Sequence, residues 1–176
     1  MAELVDTTKM KSGSFGTMGL EKTLFQGLTR MQYKIPTPVQ RKALPIVLAG
    51  LDVVCMARTG SGKTAVFLIP MIQKLKSHRN DVGVRGLVLS PSRELALQTF
   101  KFACDMAKFT NLRIISIVGG DGIESQFEML ANEPDILIAT PGRLMHHLRE
   151  IYSFKLSHIQ YLVFDEADRL FEMGVS

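Results

Sequence analysis

Residues 57–64 read Ala57-Arg58-Thr59-Gly60-Ser61-Gly62-Lys63-Thr64, a series suited to holding phosphate. Glycines let a backbone curl until successive N–H groups point inward, and a following helix turns its positive end toward an anion. Thr59, Gly60, Ser61 and Gly62 would wrap a phosphate chain, Lys63 can reach its terminal phosphates, and the Thr64 hydroxyl can ligate Mg²⁺. Ala57 stands where a glycine is usual. The plainer reading is a glycine turn that merely caps a helix. Gly-Ser-Gly-Lys-Thr between an apolar run and a helical one disfavours it.

About a hundred residues later, the apolar run Tyr161-Leu162-Val163-Phe164 delivers Asp165-Glu166-Ala167-Asp168. An acid in that place can hold Mg²⁺ through water, and an adjacent Glu can orient and deprotonate an attacking water. Asp165 takes the first role and Glu166 the second. Acids also favour the first turn of a helix without any chemistry, and the phosphate loop is what tips the balance.

Three more loops follow apolar runs: Pro91-Ser92-Arg93, Gly119-Gly120 and Thr140-Pro141-Gly142-Arg143. Read plainly, Ser92 and Thr140 are helix N-caps and the glycines are turn residues. Capping and anion binding are compatible, because N–H groups at a helix start accept a phosphate as readily as a capping oxygen. The pair His146-His147 points apart on a helix, and no Cys or acid completes a metal site around it. Cys55 and Cys104 fall among apolar residues and are expected in the core.

An alternation of elements must position these loops. Nearly continuous Val, Ile and Leu runs at 52–57, 86–90, 112–118, 135–140 and 161–165 predict strands buried on both faces of a parallel sheet. Helical stretches lie between them at 64–78, 91–109, 124–131 and 141–150. Ahead of the first strand, residues 21–31 and a segment from Pro38 to about Gly50 have helical spacing, and residues 32–38, with two prolines, are expected to be extended. Strand–helix alternation with short connections gives an α/β fold, a mostly parallel central sheet with helices on both faces. Ligands in such sheets bind at the loops leaving the carboxyl ends of the strands. The phosphate loop, the acidic run and the three further loops all leave strands there.

Composition narrows the classes. The chain has 176 residues, 46% apolar and 22% charged, the balance of one folded domain rather than a disordered, collagen-like or disulfide-stapled chain. Two cysteines suit a reducing compartment, and no secretory signal or bilayer-length apolar run is present, so an intracellular domain without membrane attachment is expected. The net charge of +4 falls within residues 1–50, so charge alone identifies no nucleic-acid binder. Residues 1–14 are polar and small and read as a flexible lead-in to a domain over 15–176. A monomer is expected, since nothing calls for an obligate dimer.

The pairing of ARTGSGKT with a literal DEAD resembles the DEAD-box ATP-dependent RNA helicases, and further motifs arrive in that family's order. Gln32-Tyr33-Lys34-Ile35-Pro36-Thr37-Pro38-Val39-Gln40 looks like the adenine-recognising Q motif, with Gln32 where glycine is usual. Phe15 lies upstream, where the family often has an aromatic; it either packs against the Q-motif segment or meets the ligand. Pro91-Ser92-Arg93-Glu94-Leu95-Ala96 is similar to motif Ia, with Ser92 in place of the commoner Thr. Gly119-Gly120 is similar to the glycine doublet, and Thr140-Pro141-Gly142-Arg143 to motif Ib. The FGTMGL and DEADRLFEMG runs resemble the nucleolar, ribosome-assembly branch.

The resemblance implies a RecA-like P-loop domain that binds ATP with Mg²⁺. Gln40 would then read the adenine edge and Tyr33 would lie against the base, since an amide offers both donor and acceptor and aromatic faces stack. Pro91, Ser92, Arg93, Gly119, Gly120, Thr140, Pro141, Gly142 and Arg143 would hold RNA through its backbone, without reading sequence. It also implies a second RecA-like domain that carries arginine fingers and half of the RNA cleft. The present residues stop soon after the acidic motif. Alone, they are expected to bind nucleotide weakly and to hydrolyse it barely.

Overall fold

The computed structural model describes residues 13–80, 82–172 and 174. Most of the expected lead-in lies outside them. A 3-10 turn at Phe15–Thr17 leads into α1 (Lys22–Arg30), α2 (Pro38–Leu48) and α3 (Lys63–Leu75). Then follow β1 (Gly86–Leu89), α4 (Arg93–Met106), β2 (Ile114–Ile117), α5 (Ile123–Ala131), β3 (Ile136–Ala139), α6 (Pro141–Glu150), β4 (Tyr161–Phe164) and α7 (Ala167–Glu172). The four strands form one sheet in the order β2-β3-β1-β4, every pair parallel.

Side chains alternate between the two faces, and each face has its own core. Val88, Ile136 and Ile138 pack with α1, α2, α3 and α4; Leu87, Leu89, Leu137 and Ala139 pack with Leu130 of α5, Leu144 of α6 and Leu170 of α7. The expected α/β layering is therefore present. Among the described residues no helix is long and apolar enough to cross a membrane.

Helix starts follow local chemistry. Thr37 caps α2 in a capping box with Gln40 ahead of Pro38, and Ser92 caps α4 by accepting from the Leu95 amide at 3.3 Å. Gly27 marks where α1 crosses α4. A Cβ there would meet the Met106 carbonyl oxygen at 2.0 Å, so the helices can cross this closely only over glycine. Gly27→Ala should therefore destabilise the chain by about 1–3 kcal/mol, read as a lower midpoint in thermal or urea unfolding.

Two expectations fail here. Residues 52–57 form no strand; Val54 is 90% exposed and Met56 92%. The run has strand composition, but a strand exists only as a hydrogen-bonded pair. A cleft separates this segment from β4, the nearest sheet edge, whose outer side carries no partner among the described residues. Cys55 is consequently only half-buried, and Cys104 faces outward from α4 rather than into the core. An apolar neighbourhood in sequence did not settle which face of the helix Cys104 occupies.

Candidate functional site

Parallel pairing brings every strand's carboxyl end to one edge of the sheet. Along that edge the loops follow the strand order: Val118–Asp121 after β2, Thr140–Arg143 after β3, Ser90–Arg93 after β1, and Asp165–Asp168 after β4. The three anion-loop candidates are thus contiguous, and the acidic run closes the row.

The phosphate loop curls as its glycines predict, with φ of 77° at Gly60 and 93° at Gly62. Gly62 is the N-cap of α3 and no side chain caps that helix, which leaves its first N–H groups available to an anion. Ser61 Oγ is buried with no hydrogen-bond partner. The Lys63 ammonium folds back onto the loop, donating to the Ala57 carbonyl and, at 3.1 Å, to that of Arg58. A terminal phosphate would take this ammonium over from two neutral carbonyls.

Gln40 is 1% exposed, and its side-chain amide is engaged at both ends within the protein. Its oxygen accepts from the Thr37 N–H at 2.9 Å, and its nitrogen donates to the Gly62 carbonyl at 3.0 Å. In this structure the residue expected to read adenine ties the cap of α2 to the phosphate loop. The approach is close: a Cβ at Gly62 would fall 2.5 Å from Gln40 Nε2. Tyr33 is half-buried between Phe15 and Phe102, with ring centroids 5.9 and 5.8 Å away. Phe15 itself is 1% exposed, which decides for packing.

Thr59, Lys63, Asp165, Glu166 and Asp168 line one cleft of about 1170 Å³. The Asp165 amide donates to the Leu89 carbonyl at 2.9 Å, an extension of the β4–β1 ladder that fixes where the carboxylate starts. Burial and then the adjacent Glu166 charge push the Asp165 carboxyl above its ordinary range; a Thr99 hydroxyl at 3.5 Å and nearby Lys63 act the other way. Glu166 has a left-handed backbone, φ 52°, rare for a residue with a side chain, and its carboxylate lies 3.3 Å from Arg169 Nη1. Two crowded carboxylates beside a lysine fit Mg²⁺, which takes a few protein oxygens and completes its shell with water and phosphate. Thr99 is a participant that sequence reading missed; no local signal marks it.

The next three loops converge through their arginines. Arg93 donates through Nη1 to the Gly119 carbonyl at 2.5 Å and through Nη2 to Asp121 Oδ1 at 2.7 Å. Arg143 donates to the carbonyls of Val118 (3.3 Å) and Asp121 (3.1 Å). Both guanidinium groups therefore brace the glycine-doublet loop while standing at its rim. Arg93 holds the Asp121 carboxyl below the usual range, first by its hydrogen bond and then by its charge. Ser92 is an N-cap, as its plainer reading had it, whereas Thr140 makes no side-chain cap to α6.

His147 is fully buried, at 0% exposure. Burial, followed by the charges of Arg143 and His146, lowers its pKa. The folded state thus favours the neutral ring, and the stability gained is complete above the free-imidazole value of about 6.5. It is lost as pH falls through the depressed folded value. Melting temperatures measured from about pH 7.5 down to about pH 5 should decline, and His147→Gln should flatten that decline.

The family described as DEAD/DEAH box helicase matches residues 37–176. The chain is 58% identical over 167 residues to "DEAD-box ATP-dependent RNA helicase 29" of Oryza sativa subsp. indica, covering 95% of this chain and 20% of that protein. It is 55% identical over 174 residues to "ATP-dependent RNA helicase DDX54" of Mus musculus, 99% of this chain and 20% of that protein. With "ATP-dependent RNA helicase dbp10" of Aspergillus terreus it shares 56% identity over 173 residues, 98% and 18%. The chain spans about a fifth of the length of these relatives.

Proposed function

Because the chain belongs to the DEAD/DEAH box helicase family, we propose that it is the ATP-binding lobe of an RNA-dependent ATPase that unwinds or remodels short RNA duplexes or RNA–protein complexes. The observation that carries this reading is the meeting, in one cleft, of the phosphate-loop Lys63 with Asp165 and Glu166. The uncapped start of α3 and the loop amides of 59–62 cradle the phosphates, and Lys63 neutralises their charge. Asp165 with Thr64 holds Mg²⁺, which supplies charge neutralisation at the phosphates. Glu166, set apart by its left-handed backbone, orients the attacking water and takes its proton.

RNA lies along the contiguous loops 90–93, 118–121 and 140–143, held through phosphates and sugars without sequence preference. The FGTMGL and DEADRLFEMG runs, which resemble the nucleolar, ribosome-assembly branch, support a role in ribosome assembly in the nucleolus. A second RecA-like domain of the same protein supplies the arginine fingers, which is why these 176 residues alone bind nucleotide but turn it over barely.

Adenine preference tests the reading directly. At equal concentrations, with Mg²⁺, ADP should raise the melting temperature more than GDP does, because stabilisation follows the logarithm of ligand over dissociation constant. Gln40→Ala should shrink that difference. Equal stabilisation by both nucleotides in the parent chain would reject Tyr33 and Gln40 as the base site.

A further inference from the structure

Beneath the glycine-doublet loop lies a buried polar pair that the nucleotide and RNA readings do not use. Gln126 of α5 and His147 of α6 are both 0% exposed. Gln126 Nε2 donates to the Val118 carbonyl at 2.9 Å, and Gln126 Oε1 lies 2.7 Å from His147 Nε2. Donor counting fixes the histidine. The carbonyl can only accept, so the Gln126 amide nitrogen must face it, the amide oxygen must face the ring, and His147 carries its proton on Nε2. His147 Nδ1 has no partner, and the Phe127 ring meets the imidazole edge-on, with centroids 5.1 Å apart.

Burying an amide and an imidazole between two helices costs free energy that apolar residues of similar size would not. The bond to Val118 shows what the pair accomplishes. The same carbonyl accepts from Arg143 Nε, and the next carbonyl, Gly119, accepts from Arg93. Three side chains from three helices thus fix two successive carbonyls, directly before Gly120 with its φ of 90°. Arg93 and Arg143 approach from the rim, where an incoming phosphate competes for them; Gln126 approaches from the interior, where nothing does.

We propose that Gln126, held in orientation by His147, is a positioning residue that keeps the Val118–Asp121 loop in its RNA-accepting shape when Arg93 and Arg143 turn from its carbonyls to RNA phosphates. This rests on the reading of those loops as the RNA contact. Gln126 touches no ligand itself. Its effect is to keep the loop from collapsing into the space the arginines leave.

Two measurements on the whole chain test this and keep it apart from the reading beneath it. The first is amide exchange by mass spectrometry over 118–123, with the β1 and β3 peptides as internal controls; the second is binding of a fluorescent single-stranded uridine oligonucleotide at low salt. Gln126→Met removes the interior donor to the Val118 carbonyl, leaving it only Arg143, and orphans His147 Nε2. It should speed loop exchange and weaken RNA binding, each by about fivefold, the scale of one hydrogen bond, while ADP stabilisation is retained.

The double variant Gln126→Met/His147→Leu removes both polar partners and should recover most of the lost thermal stability. Its loop should stay fast-exchanging and its RNA binding weak. His147→Gln keeps a donor toward Gln126 Oε1 and should match the parent in both measurements. Recovery of loop exchange in the double variant together with stability would reduce the pair to ordinary core packing and overturn the proposal. So would unchanged loop exchange in Gln126→Met. A parent chain that binds no RNA would instead reject the RNA reading of the loops, while the exchange measurement still decides whether Gln126 fixes the loop.

Discussion

Replacing Asp135 with alanine is expected to destabilise this chain more than any other single change to a polar residue described above, by about 3–5 kcal/mol. Domains of this kind have about 5–15 kcal/mol in total. The Asp135 side chain is 0% exposed and collects donors from three directions. Oδ1 accepts from Arg85 Nη2 at 2.5 Å, and Oδ2 accepts from the Arg113 amide at 2.8 Å and lies 2.9 Å from His78 Nδ1. Its backbone carbonyl takes the amides of Arg85 and Gly86, and its own amide donates to the Arg113 carbonyl. One residue thereby ties together the amino-terminal ends of β1, β2 and β3, at the sheet edge opposite the site.

Alanine would leave a buried guanidinium, itself 3% exposed, without its counter-charge. Asparagine should fail nearly as badly, because both carboxylate oxygens face donors and an amide must turn an NH₂ toward one of them. The midpoint of thermal unfolding should fall by about 10 °C or more in both variants. Asp121→Asn is the control. Its ion pair with Arg93 is about two-fifths exposed on each side, so water screens it and its loss should barely move the midpoint. If Asp135→Asn melts within a few degrees of the parent, the cluster does not hold the sheet as described.

Lys63→Ala should lower affinity for Mg·ATP and Mg·ADP by about a hundredfold, the worth of one or two hydrogen bonds to a charged group. Two losses combine here. The phosphate loses its cation, and the loop loses the ammonium that gathers the Ala57 and Arg58 carbonyls before any ligand arrives. Arginine keeps the charge but brings a rigid planar fork to a place shaped around a compact ammonium, so Lys63→Arg should recover little. Calorimetric titration and ligand-dependent melting both report the change, and neither requires turnover. Retention of nucleotide affinity within about twofold in Lys63→Ala would remove the loop from the phosphate site.

Much of this was legible because it is local. Thr37 before Pro38 and Ser92 before Arg93 start helices by capping chemistry that any short window contains, and the α6 boundaries Pro141–Glu150 were read directly. Gly60, Gly62 and Lys63 carry their conformations and charge in their own identities. What stayed hidden depends on a partner far along the chain. Residues 52–57 read as a strand, but no window of sequence says whether a neighbouring strand lies beside them. The meeting of the Gln40 nitrogen with the Gly62 carbonyl, 22 residues away, is likewise invisible to any window of sequence. His147 carries no local sign of its partner, which α5 supplies as Gln126.

The strand order also sets a schedule for synthesis. β1 lies inside the sheet between β3 and β4, yet it emerges before both, and β4 comes more than seventy residues after it. On a growing chain the apolar Leu87 and Val88 therefore wait for both neighbours to be made, with helices able to form around them but no ladder to join. Closing parallel pairs over such separations is slow, and an unpaired apolar strand is what chaperones and aggregates recognise in the meantime. The strand that ends at the middle of the candidate-site edge is thus among the last parts of the sheet to become secure.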